Sequence, residues 1–215
     1  MSRASISFRE SIRWLPGEAS EPTRTIVLTA RNGAFLDVRF NVEDGSLDWA
    51  FAGYRSSAEP NSTKFTHHID SRTPNPLEVV DVGTNMPLPN GRTLETGEMV
   101  NPSTNLVTQY EEIWRDEECE EAVFVQNISG SVWRARAGAW QLALGRTHGD
   151  FWAWQASRNG SGEDGWTRGY STSLGAVSQD SSAAYTYLPE DCQGWTSGST
   201  AEWGGDRWLV LQNER

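Results

Sequence analysis

The chain has 215 residues, 37% of them hydrophobic, and a formal net charge of −11. That length allows one domain or two small ones, and the acidic balance argues against nucleic acid and anionic membrane as partners. No window approaches a run of apolar residues long enough for a transmembrane helix.

Alternation with a period of two runs through the chain. "SISFRESIRW" sets Ile6 and Phe8 on one face and then shifts phase to Ile12 and Trp14. "RTIVLTA" and "AFLDVRF" flank Arg31-Asn32-Gly33, which reads as a hairpin turn. "GSLDWAFAGY" alternates Leu47, Trp49 and Phe51 against Asp48, Ala50 and Ala52. "KFTHHID" is a further short strand, on which the adjacent His67 and His68 face opposite sides. Pro74, Pro76, Pro87, Pro89 and Pro102 punctuate the middle and preclude a long helix there.

"NLVTQYEEIWRD" places Leu106, Thr108, Tyr110, Glu112 and Trp114 on one strand face. Alternation stops after Arg115, so "DEECEE" is expected to be a solvated connector. "AVFVQ", "SVWRARAG", "AWQLALGR", "FWAWQAS", "GWTRGYSTSL", "AAYTYL" and "DRWLVLQ" follow as strands, with the Gly-rich "NGSGEDG" and "SGSTAEWGG" as turns between them. No window sustains a helical period. Short strands at frequent intervals predict an all-β barrel or sandwich. A division near Asp116 to Glu121 gives an N-terminal domain over 1–118 and a C-terminal domain over 119–215, each able to close a small barrel.

Eleven Trp residues run from Trp14 to Trp208. Buried Trp builds cores, and it also lines cavities for flat or greasy ligands. Glu112, between Tyr110 and Trp114, is either a core carboxylate paired with an Arg or a carboxyl of raised pKa in an aromatic pocket, able to give a proton. No metal is expected. His67 and His68 diverge, His148 is distant, and the two cysteines, Cys119 and Cys192, have no ligand spacing. Two cysteines are also too few for a disulfide scaffold. The start MSRASISFRESIRW lacks the apolar region of a secretory signal, so a reducing, cytoplasmic setting is expected. The sequons at Asn61, Asn127 and Asn159 then read as loop composition. No phosphate-loop glycine pattern and no nucleophile-elbow pattern occurs. What remains is a shaped aromatic cavity with a few donors and an acid. That suits a lipophile-binding barrel, or an enzyme that orients reactive partners and excludes water. Trp platforms would also suit a sugar-binding barrel or a hydrolase, although an extracellular lectin would need a signal.

"RTIVLTA", "DWAFAG" (Asp48 to Gly53), "LETGEM" (Leu94 to Met99), "YEEIWR" (Tyr110 to Arg115), "LALGR" (Leu142 to Arg146) and "GSTAEWGGDRWLVL", in that order, resemble the fungal Hri family nearly end to end. The resemblance implies lipocalin-like, calycin-type antiparallel β-barrels, one in each half, with a molecular function largely unassigned. The chain is also similar to the small cofactor-free hetero-Diels–Alderases of fungal tropolone sesquiterpenoid pathways. That second resemblance implies a pericyclase that expels water from a hydroxymethyl tropolone and adds the resulting quinone methide across a humulene-type alkene. Trp49, Phe51, Trp114 and Met99 would then hold the small hydrophobic substrates. Glu112, His67 or His68 would protonate the leaving hydroxyl, and donors such as Tyr110, a Trp N–H or an Arg would stabilise negative charge on the tropolone oxygens. No cofactor is implied. The alternative within the same family is a non-catalytic module that binds a lipophile or a protein. Unpaired edge strands in such barrels also offer a homodimer contact.

Overall fold

In the computed structural model, which describes residues 3–158, 165–172 and 186–214, period-two segments become strands almost everywhere. The first nine are β1 (Ala4–Trp14), β2 (Ala19–Ser20), β3 (Thr23–Thr29), β4 (Ala34–Asn41), β5 (Leu47–Glu59), β6 (Ser62–Asp70), β7 (Asp81–Pro87), β8 (Thr93–Asn101) and β9 (Leu106–Cys119). Seven more follow: β10 (Ala122–Asn127), β11 (Val132–Ala137), β12 (Trp140–Thr147), β13 (Asp150–Arg158), β14 (Trp166–Ser171), β15 (Thr200–Trp203) and β16 (Asp206–Glu214). A 3-10 turn spans Pro76–Glu78, inside the proline-punctuated middle.

Strands β1 and β3 to β9 pair antiparallel in sequence order, and β9 returns to pair with β1. The result is a closed eight-stranded up-and-down barrel of lipocalin-like form, with β2 attached to β1. Tight turns at Gly33 (φ 88°) and Asn61 (φ 64°) need the left-handed backbone those residues tolerate. The remaining strands form a second antiparallel sheet in the order β14-β13-β12-β11-β10-β16-β15.

The two sheets share one core, which explains why β4 and the start of β5 are buried on both faces. Leu36, Val38 and Phe40 on β4, with Ala50 and Ala52 on β5, face out of the barrel onto Phe124, Trp133, Leu142 and Leu144 of the second sheet. The alanines keep that contact close, while their neighbours Trp49 and Phe51 turn into the barrel. Gln155 stitches the layers together by donating to the carbonyls of Arg24 (2.9 Å) and Val38 (2.7 Å). The far face of the second sheet carries most of the tryptophans, in two clusters around Trp152, Trp154 and Trp166 and around Trp208.

The phase shift in β1 is a bulge. Glu10 is the extra residue between the Arg9–Trp114 and Ser11–Ile113 pairs, so Ile6 and Phe8 face the second sheet while Ile12 and Trp14 share the inward face of Glu112 and Tyr110.

Four expectations need correction. The strand over "NLVTQYEEIWRD" does not stop at Arg115; β9 continues through the acidic run to Cys119, paired with β1 as Ser7–Asp116 and Ser5–Glu118. Both faces are polar there because one meets the barrel mouth and the other meets solvent. Only Glu120 and Glu121 connect the two sheets. "DVGTNMP" and "TLETGEMVN" are strands although they lack apolar alternation. Apart from Pro87 and Met99 their inward positions are polar or glycine, and their outer face is exposed at Val82, Met86 and Val100. In "SGSTAEWGG", Thr200–Trp203 is a strand that pairs with β16 around a Gly204-Gly205 turn. In "AAYTYL", Thr186 to Leu188 are irregular, and their backbone is held by the side chains of Arg134 and Gln141. The rest of that segment, the end of "GWTRGYSTSL" and most of "NGSGEDG", with the Asn159 sequon, lie outside the described residues.

Candidate functional site

Closing eight strands leaves a lumen wide enough to hold a ligand. Here it is a cavity of about 750 Å³ that opens past Arg31, Gly33, Glu59 and Pro87. One wall is apolar: Val27, Phe35, Phe51 and Trp114 pack together with Phe65 and Met99 against them. The polar part of the lining, Asp81, Glu95, Tyr110, Glu112 and Asp116, comes from β7, β8 and β9, interleaved with Met99 on β8 and Trp114 on β9.

The deep end is held by ion pairs. Arg9 donates to Glu112 (2.6 Å), to both oxygens of Glu21 (2.9 and 3.1 Å) and to Thr23 (2.7 Å). Arg39 makes a two-point contact with Asp37 and lies 3.7 Å from the same Glu112 oxygen. Burial works against the charge of both guanidinium groups, but the carboxylates beside them win, and both pKa values are raised. Arg39 also covers the rings of Trp49 and Phe51 at 4.9 and 5.6 Å. Glu112 is thus a core carboxylate shared by two arginines.

His67 stacks on Phe51, with centroids 4.1 Å apart, between two acids. Its Nδ1 lies 2.8 Å from Asp70 and its Nε2 3.0 Å from Asp81. Burial lowers its pKa, yet those hydrogen bonds and charges outweigh burial and raise it overall. Asp70 also accepts from the indole of Trp49 (2.9 Å) and from the amide of Arg72 (2.7 Å).

Glu95 is the acid in a different state. It pairs in register with Glu112 across β8 and β9, so two carboxyls sit side by side. Burial first, then the charges of Glu112 and Asp81, push the Glu95 carboxyl up to about 8. Tyr110 donates to it at 3.2 Å, and burial with the neighbouring acids raises the phenol as well. Two glycines make room for this pair. A Cβ at Gly83 would lie 2.6 Å from the Glu95 carboxyl carbon, and one at Gly97 would lie 2.6 Å from the Tyr110 oxygen.

Of the residues expected at a site, Phe51, Met99, Tyr110, Glu112 and Trp114 line the cavity together. Trp49 packs behind Phe51, and His67 lies beneath the same ring. His68 does not join them. It is exposed on the outer face of β6, against Tyr54 and Trp133. Sequence reasoning missed Arg39, Arg55 and Glu95, which line the lumen, and Arg9, which holds Glu112 from behind its wall. The signal for Glu95 was the spacing Glu95-x-Gly97-x-Met99, one strand face in which a glycine separates an acid from an apolar residue. Among the described residues, no group of His, Cys, Asp and Glu is placed to hold a metal ion, and no helix is long and apolar enough to cross a membrane.

The model of the family described as Protein HRI1 matches residues 5–212, both sheets included. The chain belongs to the HRI1 family. Among solved structures, this HRI1-family chain is similar to the crystal structure of an uncharacterized protein from Saccharomyces cerevisiae. The TM-score is 0.74 at 15% identity, covering 99% of this chain and 100% of that one. At that identity the likeness speaks to the fold. A search of curated proteins finds no match.

Proposed function

We propose that the barrel of this HRI1-family chain binds one small, flat, partly polar molecule in its lumen. The observation that carries this is the cavity of about 750 Å³ lined both by an aromatic cluster and by hydrogen-bonding side chains. Its volume suits a drug-sized ligand, and a ring laid on Phe35, Phe51 and Trp114 gains about 25 cal/mol for each Å² of apolar surface it buries. The Glu95 carboxyl and the rim hydroxyls of Ser5 and Ser57 offer hydrogen bonds, so the expected ligand is amphiphilic and not a plain hydrocarbon. Phenylnaphthylamine, a neutral flat fluorophore that brightens in apolar surroundings, tests this. Wild-type protein should bind it, and Ser57→Trp, which fills the mouth, should weaken binding about tenfold or more. Equal binding by both proteins, or by neither, sinks the proposal.

A catalytic reading is favoured by one further observation, the Glu95 carboxyl that keeps its proton up to about pH 8 beside Tyr110. This acid takes the role expected of Glu112, whose Oε1 is held by Arg9 with Arg39 close by. In a hetero-Diels–Alderase reaction Glu95 gives its proton to the hydroxymethyl group of a tropolone, and water leaves. The carboxylate recovers a proton from the tropolone hydroxyl, which yields the neutral quinone methide. The aromatic wall then holds that diene against a humulene-type alkene and trades binding energy for activation entropy. Purified protein with both precursors should form one enantiomer faster than the background, and Glu95→Gln should remove the excess rate. A rate and stereochemistry equal to background would leave a binding protein.

A further inference from the structure

Below the exposed Arg3 and Arg31, the guanidinium groups of Arg39 and Arg55 line the lumen, and Arg9 meets its wall through Glu112; Arg9 and Arg39 are matched. Arg9 is met by Glu112, Glu21 and Thr23, and Arg39 by Asp37 and Glu112. Arg55, on β5, lines the cavity four residues after Phe51, on the same inward face, and is paired in register with Phe65. Among the described residues its guanidinium has no hydrogen bond and no ion pair. Burial works against its charge, with Asp116 and Glu95 the acids close enough to oppose that. Neither is free to serve it fully. Asp116 accepts from Ser7 (2.5 Å) through one oxygen and from Thr93 (3.1 Å) through the other, and Glu95 accepts from Tyr110.

A second donor stands nearby without an acceptor. The indole Nε1 of Trp114, a residue 7% exposed in the cavity lining, is buried without a partner. The other acids of the deep end are spent. Glu112 and Asp37 are held by arginine, and Asp70 and Asp81 by His67. Of the lining acids left without a partner, Glu59 and Glu118 are exposed to solvent, so the unsatisfied groups away from solvent are donors, and one of them is a cation. A half-buried guanidinium without a carboxylate partner is partly desolvated, and its flat fork fits two oxygens of an anion.

We infer that Arg55 anchors an anionic oxygen group, a carboxylate, sulfonate or acidic enolate, carried on the flat aromatic body of the ligand. This rests on the lumen being the binding site. The ring lies along Phe65, Phe35 and Phe51, and the anion reaches the guanidinium beside them on the side of the mouth. Such a ligand matches both the apolar and the polar lining, whereas a neutral hydrocarbon leaves Arg55 desolvated.

Two probes of similar shape separate the possibilities: anilinonaphthalene sulfonate, which carries an anion, and neutral phenylnaphthylamine. Wild-type protein should bind the sulfonate about tenfold or more tightly than the neutral probe. Arg55→Met keeps the apolar stem and removes the charge. It should abolish that preference by weakening the sulfonate about tenfold or more, with the near-ultraviolet circular dichroism of the tryptophans intact. Arg55→Gln repeats the test should the Met variant not fold. Equal affinity for the two probes, or a preference that survives loss of Arg55, overturns the proposal and leaves the lumen reading standing. A surviving preference would place the anion elsewhere, as at the cleft beside Arg24 and Arg115. Binding of neither probe removes the lumen reading and this proposal with it.

Discussion

Glu95 and Glu112 stand opposite each other on neighbouring strands, and their partners separate them. Glu112 meets two arginines, whereas Glu95 meets a phenol and other acids. Like charges directly across a ladder are unfavourable, and holding one proton relieves the conflict. The consequence is a pH-dependent stability with a definite sign. The folded-state pKa of Glu95, about 8, lies above its ordinary value of 4.5. The folded state therefore binds more protons than the unfolded state between those values, and stability falls as pH rises through them. His67 acts in the same direction. Its raised pKa gives stability that is full below 6.5 and is lost as pH rises through the folded value. Glu95→Gln should remove the first contribution. In urea melts the variant should match wild type near pH 4.5 and be the more stable of the two above pH 8. An unchanged pH slope would show that Glu95 ionises freely. Glu112 stood out in the sequence because aromatics flank it on its own face. Glu95 did not, because its partners come from other strands.

Among the elements, β1 carries the most information per residue. Its phase shift is visible in "SISFRESIRW" because apolar residues change parity, and Glu10 is the residue that changes it. Glu10 itself is a surface residue, paired with Arg92 (2.8 Å) and Arg115 (3.6 Å). Glu10→Ala should change stability by about 0.5 kcal/mol or less. Deleting Glu10 should do far more, since one side of the bulge must then turn its side chains to the wrong face, moving either Arg9 off Glu112 or Ile12 and Trp14 out of the barrel. A loss of about 3 kcal/mol or more is expected, read as a lower denaturation midpoint. A deletion as mild as the alanine change would show that the bulge does not set the register. Strands β7 and β8 were illegible for the opposite reason. Alternation is seen only where one face is apolar, and their inward faces are mostly polar.

For the whole molecule, the second sheet covers the barrel and completes its core. Ile6, Leu28, Leu36, Val38 and Phe40 on the barrel's outside are buried only because Phe124, Trp133, Leu142 and Leu144 lie over them. Residues 1–119 expressed alone would present that patch to water, and they should aggregate or self-associate in size-exclusion chromatography. A monomeric, soluble barrel that binds phenylnaphthylamine as the full chain does would show that the barrel stands alone. The tryptophans follow from the same arrangement. Seven of the eleven are buried among the described residues, and most of these serve the second sheet. Their abundance reports a large aromatic core more than it reports a ligand site.

The sequence by itself determined the all-β class, most strands, the β3–β4 hairpin, the phase shift of β1, and the shared face of Tyr110, Glu112 and Trp114. All of these follow from the two-residue period of a strand and from local turn chemistry. Only the tertiary structure decided which face encloses the lumen, that Glu112 is spent on Arg9 and Arg39, and that Glu95 and Arg55 are the groups left over. The physical reason is that a strand pattern offers two faces without saying which is inside. That choice is made when β9 returns to β1 across the whole barrel and the second sheet buries the other side.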